Sequence, residues 1–143
     1  MAPNMDDLTV AFNVVVVEDD PLTRLAVELV FVDDEDFRLC WHAGSLSRAL
    51  ELAAEETRDI DLVVLDDVLQ GVPSGAELAP LLKHLWPAAR VVLFSADPDA
   101  RRVTPCVDAA VRKTEPELLL ARSRALLGLP RPASPSAPVP APA

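Results

Sequence analysis

Cysteine is nearly absent. Cys40 and Cys106 are the only two, and their separation matches no metal-ligand spacing. A disulfide framework and a thiolate zinc site are thereby excluded, and free buried thiols in a reducing cytoplasm are the expectation. Basic residues are scarce as well. Lys and Arg total 13 against 23 Asp and Glu, a net charge of −10, which argues against contact with a nucleic-acid phosphate backbone. No run of 18 apolar residues occurs, so no helical membrane span is expected, and the N-terminus lacks a charged-then-apolar signal segment. What remains is an ordinary globular balance, 50% apolar and 25% charged over 143 residues, enough for one domain with a sizeable core.

The most informative stretch is Asp61-Leu62-Val63-Val64-Leu65-Asp66-Asp67. Its unbroken, β-branched-rich middle suits a strand buried on both faces of a parallel sheet. Carboxylates follow where such a strand emerges. The same grammar appears at Val14 to Val17, which runs into Glu18-Asp19-Asp20, and at Val91 to Phe94, which ends on the Ser95 hydroxyl. In open α/β sheets ligands gather outside the carboxyl ends of the strands, where strand order reverses. If the first and third strands are neighbours, Glu18, Asp19 and Asp66 converge. Two carboxylates about 4 Å apart repel by roughly 4 kcal/mol at an effective dielectric near 20. Such a cluster calls for a cation or a proton, and a few hard oxygen ligands favour Mg²⁺.

Along the chain, residues 1–9 read as a loose acidic start and Val10 to Val17 as the first strand. Pro21 suits a first helical turn and opens a helix from Leu22 to Val32. Leu22, Leu25, Ala26, Leu29 and Val30 form the stripe expected to face the sheet. The acidic run from Asp33 to Asp36 reads as a solvated turn. Phe37 to Ala43 follows as a strand nearer an edge, and Leu46 to Glu56 as a helix with Leu46, Ala49, Leu50 and Ala53 inward. His42 reads as structural. After the central strand, Ser74 to Glu77 fits a capping box for a helix ending at Leu85, bent by the internal Pro80, with His84 favouring the negative end of its dipole. Arg90 to Ser95 is the fourth strand. A short helix from Asp97 to Val103, a strand from Val107 to Arg112, and a helix from Leu118 to Leu127 complete the domain. That helix is opened by a capping box at Thr114 to Glu117 and closed by Gly128. Strand and helix alternate throughout, so the fold class is α/β with a parallel sheet. From Pro130 on, a proline- and alanine-rich tail is expected to be extended, as a tether or as a PPII ligand for a partner.

From Asn13 to Leu127 these residues resemble the receiver domain of two-component response regulators. Val17-Glu18-Asp19-Asp20-Pro21 looks like the acidic pair and proline after the first strand. Asp61 to Asp66 with Ser74-Gly75 looks like the phosphoacceptor strand and its loop. Ser95-Ala96 and Lys113 look like the switch hydroxyl and the lysine after the fifth strand. The resemblance implies a doubly wound, flavodoxin-like sheet of order 2-1-3-4-5 over residues 10–129. It implies Asp66 as phosphoacceptor for a histidine kinase or phosphotransfer protein, with Ser95 and Lys113 on the phosphoryl oxygens. It also implies Mg²⁺ held by Glu18, Asp19, Asp66 and the backbone carbonyl of Val68.

Departures from the family pattern fall on the readout side. Gly75 follows Asp66 by nine positions, one more than usual, yet the strand starting at Asp61 fixes Asp66 as the acceptor. Thr114 replaces the usual proline, which removes the expected cis peptide bond. Ala110 stands where an aromatic switch residue is normal. The short interval from Ser95 to Lys113 implies a truncated or irregular fourth helix. With alanine at position 110 unable to act as that switch, output is expected through ordering of Asp97 to Pro105. Three function classes follow. The first is a stand-alone phosphorylatable receiver acting through contacts with a downstream protein target, because too little chain follows Leu127 for an output domain. The second is a pseudo-receiver used as an adaptor or dimerisation module. The third, a haloacid-dehalogenase-type phosphohydrolase, lacks its general acid, since Pro21 stands two places after Asp19. The last helix, with Arg122 and Arg124 on a leucine-rich body, offers a face for a homodimer.

Overall fold

The computed structural model describes residues 11–66, 78–96 and 106–130. Among them run β1 (Phe12–Val17), α1 (Pro21–Val32), β2 (Phe37–Ala43), α2 (Leu46–Glu55), β3 (Leu62–Asp66), α3 (Ala79–Leu85), β4 (Arg90–Ser95), β5 (Ala109–Arg112) and α4 (Pro116–Leu126). The five strands form one sheet in the order β2-β1-β3-β4-β5, every pair parallel. This is the expected doubly wound order, with β2 at an edge. The capping box at Ser74 to Glu77, the helix from Asp97 to Val103, residues 1–9 and the tail lie outside the described residues.

Strand alternation divides the core into two layers. Val14 and Val16 of β1, Leu62 and Val64 of β3, and Val92 and Phe94 of β4 turn to α1 and α4, meeting Val27, Phe31 and Leu119. Val15, Val17, Val63, Leu65, Val91 and Leu93 turn the other way, to α2 and α3, meeting Ala49, Ala53, Leu82 and Trp86. Covered on both sides, these strands need continuous apolar sequence, which is why they read so plainly. Trp41 and Trp86 pack with ring centroids 6.3 Å apart, while Cys40 and Cys106 form no disulfide and are of intermediate burial, not fully buried.

Four local expectations need correction. The stripe of α1 is rotated: Val27 and Phe31 are its buried residues, whereas Leu22, Leu25 and Leu29 are exposed at 78%, 50% and 57%. The helix is apolar nearly all round, so periodicity alone offers two competing faces. Phe31 settles the choice by stacking edge-on against Phe37, centroids 5.1 Å apart. Pro80 sits in the first turn of α3, not inside it, where its missing N–H costs nothing. The N-cap of α4 is Glu115, with no side-chain capping bond, so Thr114 does not close a capping box there. Finally, the acidic turn is not merely solvated. Arg124 of α4 is buried and pairs with Asp34 at 2.8 Å and Asp36 at 3.0 Å, which removes it from the basic face foreseen on that helix.

Exchanging α1 residues tests this rotation. Phe31→Ala should cost about 3–5 kcal/mol in urea denaturation, as a cavity in the core does, while Leu22→Ala should stay within about 0.5 kcal/mol. Similar losses at both positions would contradict the observed face.

Candidate functional site

The carboxyl edge of the sheet collects the site. Val17 pairs with Leu65 across β1 and β3, so the residues that follow or end those strands, Glu18 and Asp66, stand at adjoining tips. Asp66 pairs with Phe94 and Ser95 with Arg112, which brings Ser95 and Lys113 to the same edge. The Lys113 backbone N–H donates to the Ser95 carbonyl at 2.8 Å, fixing that turn. Asp20 caps α1: its Oδ2 accepts from the Thr23 N–H at 2.9 Å and from the Thr23 hydroxyl at 2.6 Å. A cap of this kind with proline at the next position starts the helix beside the acids.

The side chains converge as well. Glu18, Asp66 and Ser95 are buried. Lys113 Nζ lies 2.9 Å from Asp66 Oδ1 and 3.1 Å from Glu18 Oε1, forming a bridge between two strand tips. Carboxylate oxygens of Glu18, Asp19 and Asp66 lie within 4.8 Å of one another. An all-oxygen donor set of this size suits a hard divalent cation. Fully ionised, the three acids exceed the lone ammonium by two charges, a surplus that one such ion cancels. The expected carbonyl ligand, Val68, lies outside the described residues.

Sequence reasoning placed Glu18, Asp19, Asp66, Ser95 and Lys113 at one edge, and the structure assembles all five there. It gave no role to Asp20 or Arg24. The Asp20 N–H donates to Glu18 Oε2 at 3.1 Å, and Arg24 Nη1 donates to the Glu18 carbonyl at 3.2 Å. The cap signal was legible in Asp20-Pro21 with Thr23. The Arg24 contact was not, since it depends on a close approach over Gly44, whose added Cβ would stand 3.1 Å from Arg24 Nη1.

Burial pushes the Glu18 carboxyl up to about 8, aided by its hydrogen bond to Asp66 and that residue's charge, against the Asp20 N–H and Lys113. Burial alone would lower the Lys113 ammonium, but its bonds to Asp66 and Glu18 outweigh that and leave it raised. Glu18 therefore binds its proton more tightly folded than unfolded. The stability this confers is complete below the unfolded value of 4.5 and is lost as pH rises through about 8. In chelator, the denaturation midpoint of the native chain should fall from about pH 5 to about pH 9 more steeply than that of Glu18→Gln. Parallel profiles for the two proteins would refute the raised carboxyl.

Comparison with known proteins agrees with this arrangement. The family model for the response regulator receiver domain matches residues 14–114. The nitrate/nitrite response regulator protein NarP of Escherichia coli (strain K12) is 28% identical over 119 residues, 80% of this chain and 54% of NarP. The chain thus spans about half the length of that relative. Among solved structures, the CheX-CheY-BeF3-Mg+2 complex from Borrelia burgdorferi matches with TM-score 0.73 and 22% identity, covering 85% of this chain and 92% of that one. CheY6 from R. sphaeroides, in complex with the P1 domain of CheA3, matches with TM-score 0.70 and 23% identity over 83% and 98%. With the five-stranded 2-1-3-4-5 sheet, the gathered acids and the lysine already in place, the chain belongs to the response regulator receiver domain family of two-component systems.

Proposed function

We propose that this receiver accepts a phosphoryl group on Asp66 from a phosphohistidine of a kinase or phosphotransfer protein and signals through contacts with a downstream protein. The observation that carries this reading is Lys113 Nζ bridging Asp66 Oδ1 at 2.9 Å and Glu18 Oε1 at 3.1 Å within a buried acid cluster. A scaffold gains nothing from three converging carboxylates, whereas a site built to handle charge does. The Asp66 carboxylate oxygen would attack phosphorus in line, forming the O–P bond as the N–P bond breaks. The electron pair leaves on the imidazole nitrogen. Lys113 is placed to offset charge on a phosphoryl oxygen, and the Ser95 hydroxyl, buried at the same edge, to donate to another. Glu18, Asp19, Asp66 and the Val68 carbonyl would hold Mg²⁺, which supplies charge neutralisation in a transfer that needs mainly positioning and electrostatics. The solved relatives lend support: CheY in its BeF3-Mg+2 complex and CheY6 with a CheA3 P1 domain share the fold.

Ala110 and Thr114 favour a second reading, an adaptor not governed by phosphorylation. Ala110 is half-buried against the α3 side of the core and supplies no ring to move.

Incubation with Mg²⁺ and acetyl phosphate, read by intact-protein mass, separates the two. One phosphoryl adduct is expected on the native chain, none on Asp66→Asn, and loss of at least tenfold in rate for Lys113→Ala, the scale of one buried charged contact. No adduct on the native chain would leave the adaptor reading standing.

A further inference from the structure

The β2 edge of the sheet carries a groove that the acid site does not use. Cys40, Trp41 and His42 of β2 line it, with Arg24 from α1 and with Arg48 and Leu52 from α2. Its position follows from the strand. Cys40 and Trp41 pack with the α2 layer of the core, whereas His42 Nε2 lies 3.5 Å from Glu28 Oε1 of α1. Each face of a sheet meets only one layer, so a groove walled from both layers opens at the edge itself. Its volume is about 520 Å³, within the range that holds a small molecule.

The lining sets the chemistry. Its ionisable nitrogens belong to Arg24, His42 and Arg48, and no carboxylate lines it, in a chain whose acids outnumber its bases 23 to 13. Arg24 uses one of its five donors on the Glu18 carbonyl at 3.2 Å. Arg48 pairs with Glu51 at 3.1 Å, but both side chains are exposed, at 57% and 65%, and such a pair is weak enough to yield to a ligand. Two guanidinium forks match the paired oxygens of a carboxylate or a phosphate. Trp41, Leu52 and Cys40 supply an apolar wall beside them. Burial pushes the Cys40 thiol up, which keeps that part of the wall neutral.

An edge also invites a strand from another chain, and here the backbone argues against one. Leu39 pairs with Val14 and Trp41 with Val15, which leaves Cys40 as the extra residue of a bulge. A bulge interrupts the regular row of donors and acceptors that strand addition needs. It also turns Cys40 and Trp41 to the same side, which widens the apolar wall. A bare inorganic anion would leave that wall facing water. The occupant that satisfies both halves of the groove is compact, anionic at one end and flat and apolar at the other.

We infer that this groove binds a small molecule carrying a carboxylate or phosphate on a flat apolar body, with the oxyanion on Arg24 and Arg48 and the body against Trp41 and Leu52. The inference is independent of phosphoryl transfer.

NMR titration of the full chain in chelator tests it, with phenyl phosphate, benzoate, inorganic phosphate and benzyl alcohol as probes. Saturable shifts of the Trp41 indole N–H and the Gly44 amide, which also lines the groove, are expected with phenyl phosphate or benzoate. The tighter of those two tells phosphate from carboxylate. Inorganic phosphate and benzyl alcohol, each lacking one half of the ligand, should bind at least fivefold more weakly. Arg48→Gln should weaken binding about threefold, the scale of one partly exposed charged contact, while Glu51→Gln, which releases Arg48, should strengthen it. Both positions are exposed, so both variants keep the fold. Binding that Arg48→Gln leaves unchanged would overturn the site, as would equal affinity for inorganic phosphate. Shifts confined to the Ser95 and Lys113 amides, or no saturable shift with any probe, would do the same.

Discussion

One lysine held between two buried carboxylates is the constraint that the rest of the molecule serves. Lys113 comes from the end of β5, Glu18 from the end of β1 and Asp66 from the end of β3, so the ion triad exists only when three strands are in register. Burying such charges is costly, and the sheet offsets that cost with paired, fully covered strands on both sides. The geometry leaves the acids in surplus over the ammonium. Burial, which does most to raise the Glu18 carboxyl, acts together with that surplus to favour a proton or a divalent cation at the site.

The framework was legible because its physics is local. A strand buried on both faces must be apolar at successive positions, so β1, β3 and β4 stood out as valine- and leucine-rich runs ending on polar groups. Alternation along the chain then dictated a parallel sheet, and the acids at the strand ends could only meet at its carboxyl edge. The same logic placed Ser95 at the end of β4, whereas Lys113, next in the chain to the Arg112 that pairs with Ser95, came only from the family resemblance. Less of the helix packing was legible. In α1 apolar residues surround the axis, so two stripes satisfy the period equally, and only the tertiary fit of Phe31 against Phe37 breaks the tie. Arg124 escaped for a related reason. An arginine on an amphipathic helix reads as surface, and its partners Asp34 and Asp36 lie ninety and eighty-eight positions away in the chain.

Arg24 belongs to the same class of non-local contact, and it has a consequence for the site. Its guanidinium spans from α1 to the Glu18 carbonyl over a glycine that leaves just enough room. The helix that starts after the acids therefore also braces the backbone from which Glu18 projects. Asp20 adds a second brace, accepting from Thr23 while its own N–H holds the Glu18 carboxylate. Glu18 is thus held at two atoms, its carbonyl and its carboxylate, from α1 and its cap, which is more than a strand end alone provides.

This bracing explains why the two faces of α1 differ so sharply. Its inner face carries the core and its first turn anchors the acids, so neither can change without disturbing the site. The outward leucines carry no such duty. A solvated helix would place charge there at little cost, yet Leu22, Leu25, Leu29 and Val32 stay aliphatic. Keeping them so leaves four large aliphatic side chains facing water on an otherwise acidic chain. Arg124 of α4 donates to the Pro130 carbonyl, and the same guanidinium clamps the turn at the end of α1. One buried cation thus ties the far end of the helix that braces the site to α4, across the turn from Asp34 to Asp36.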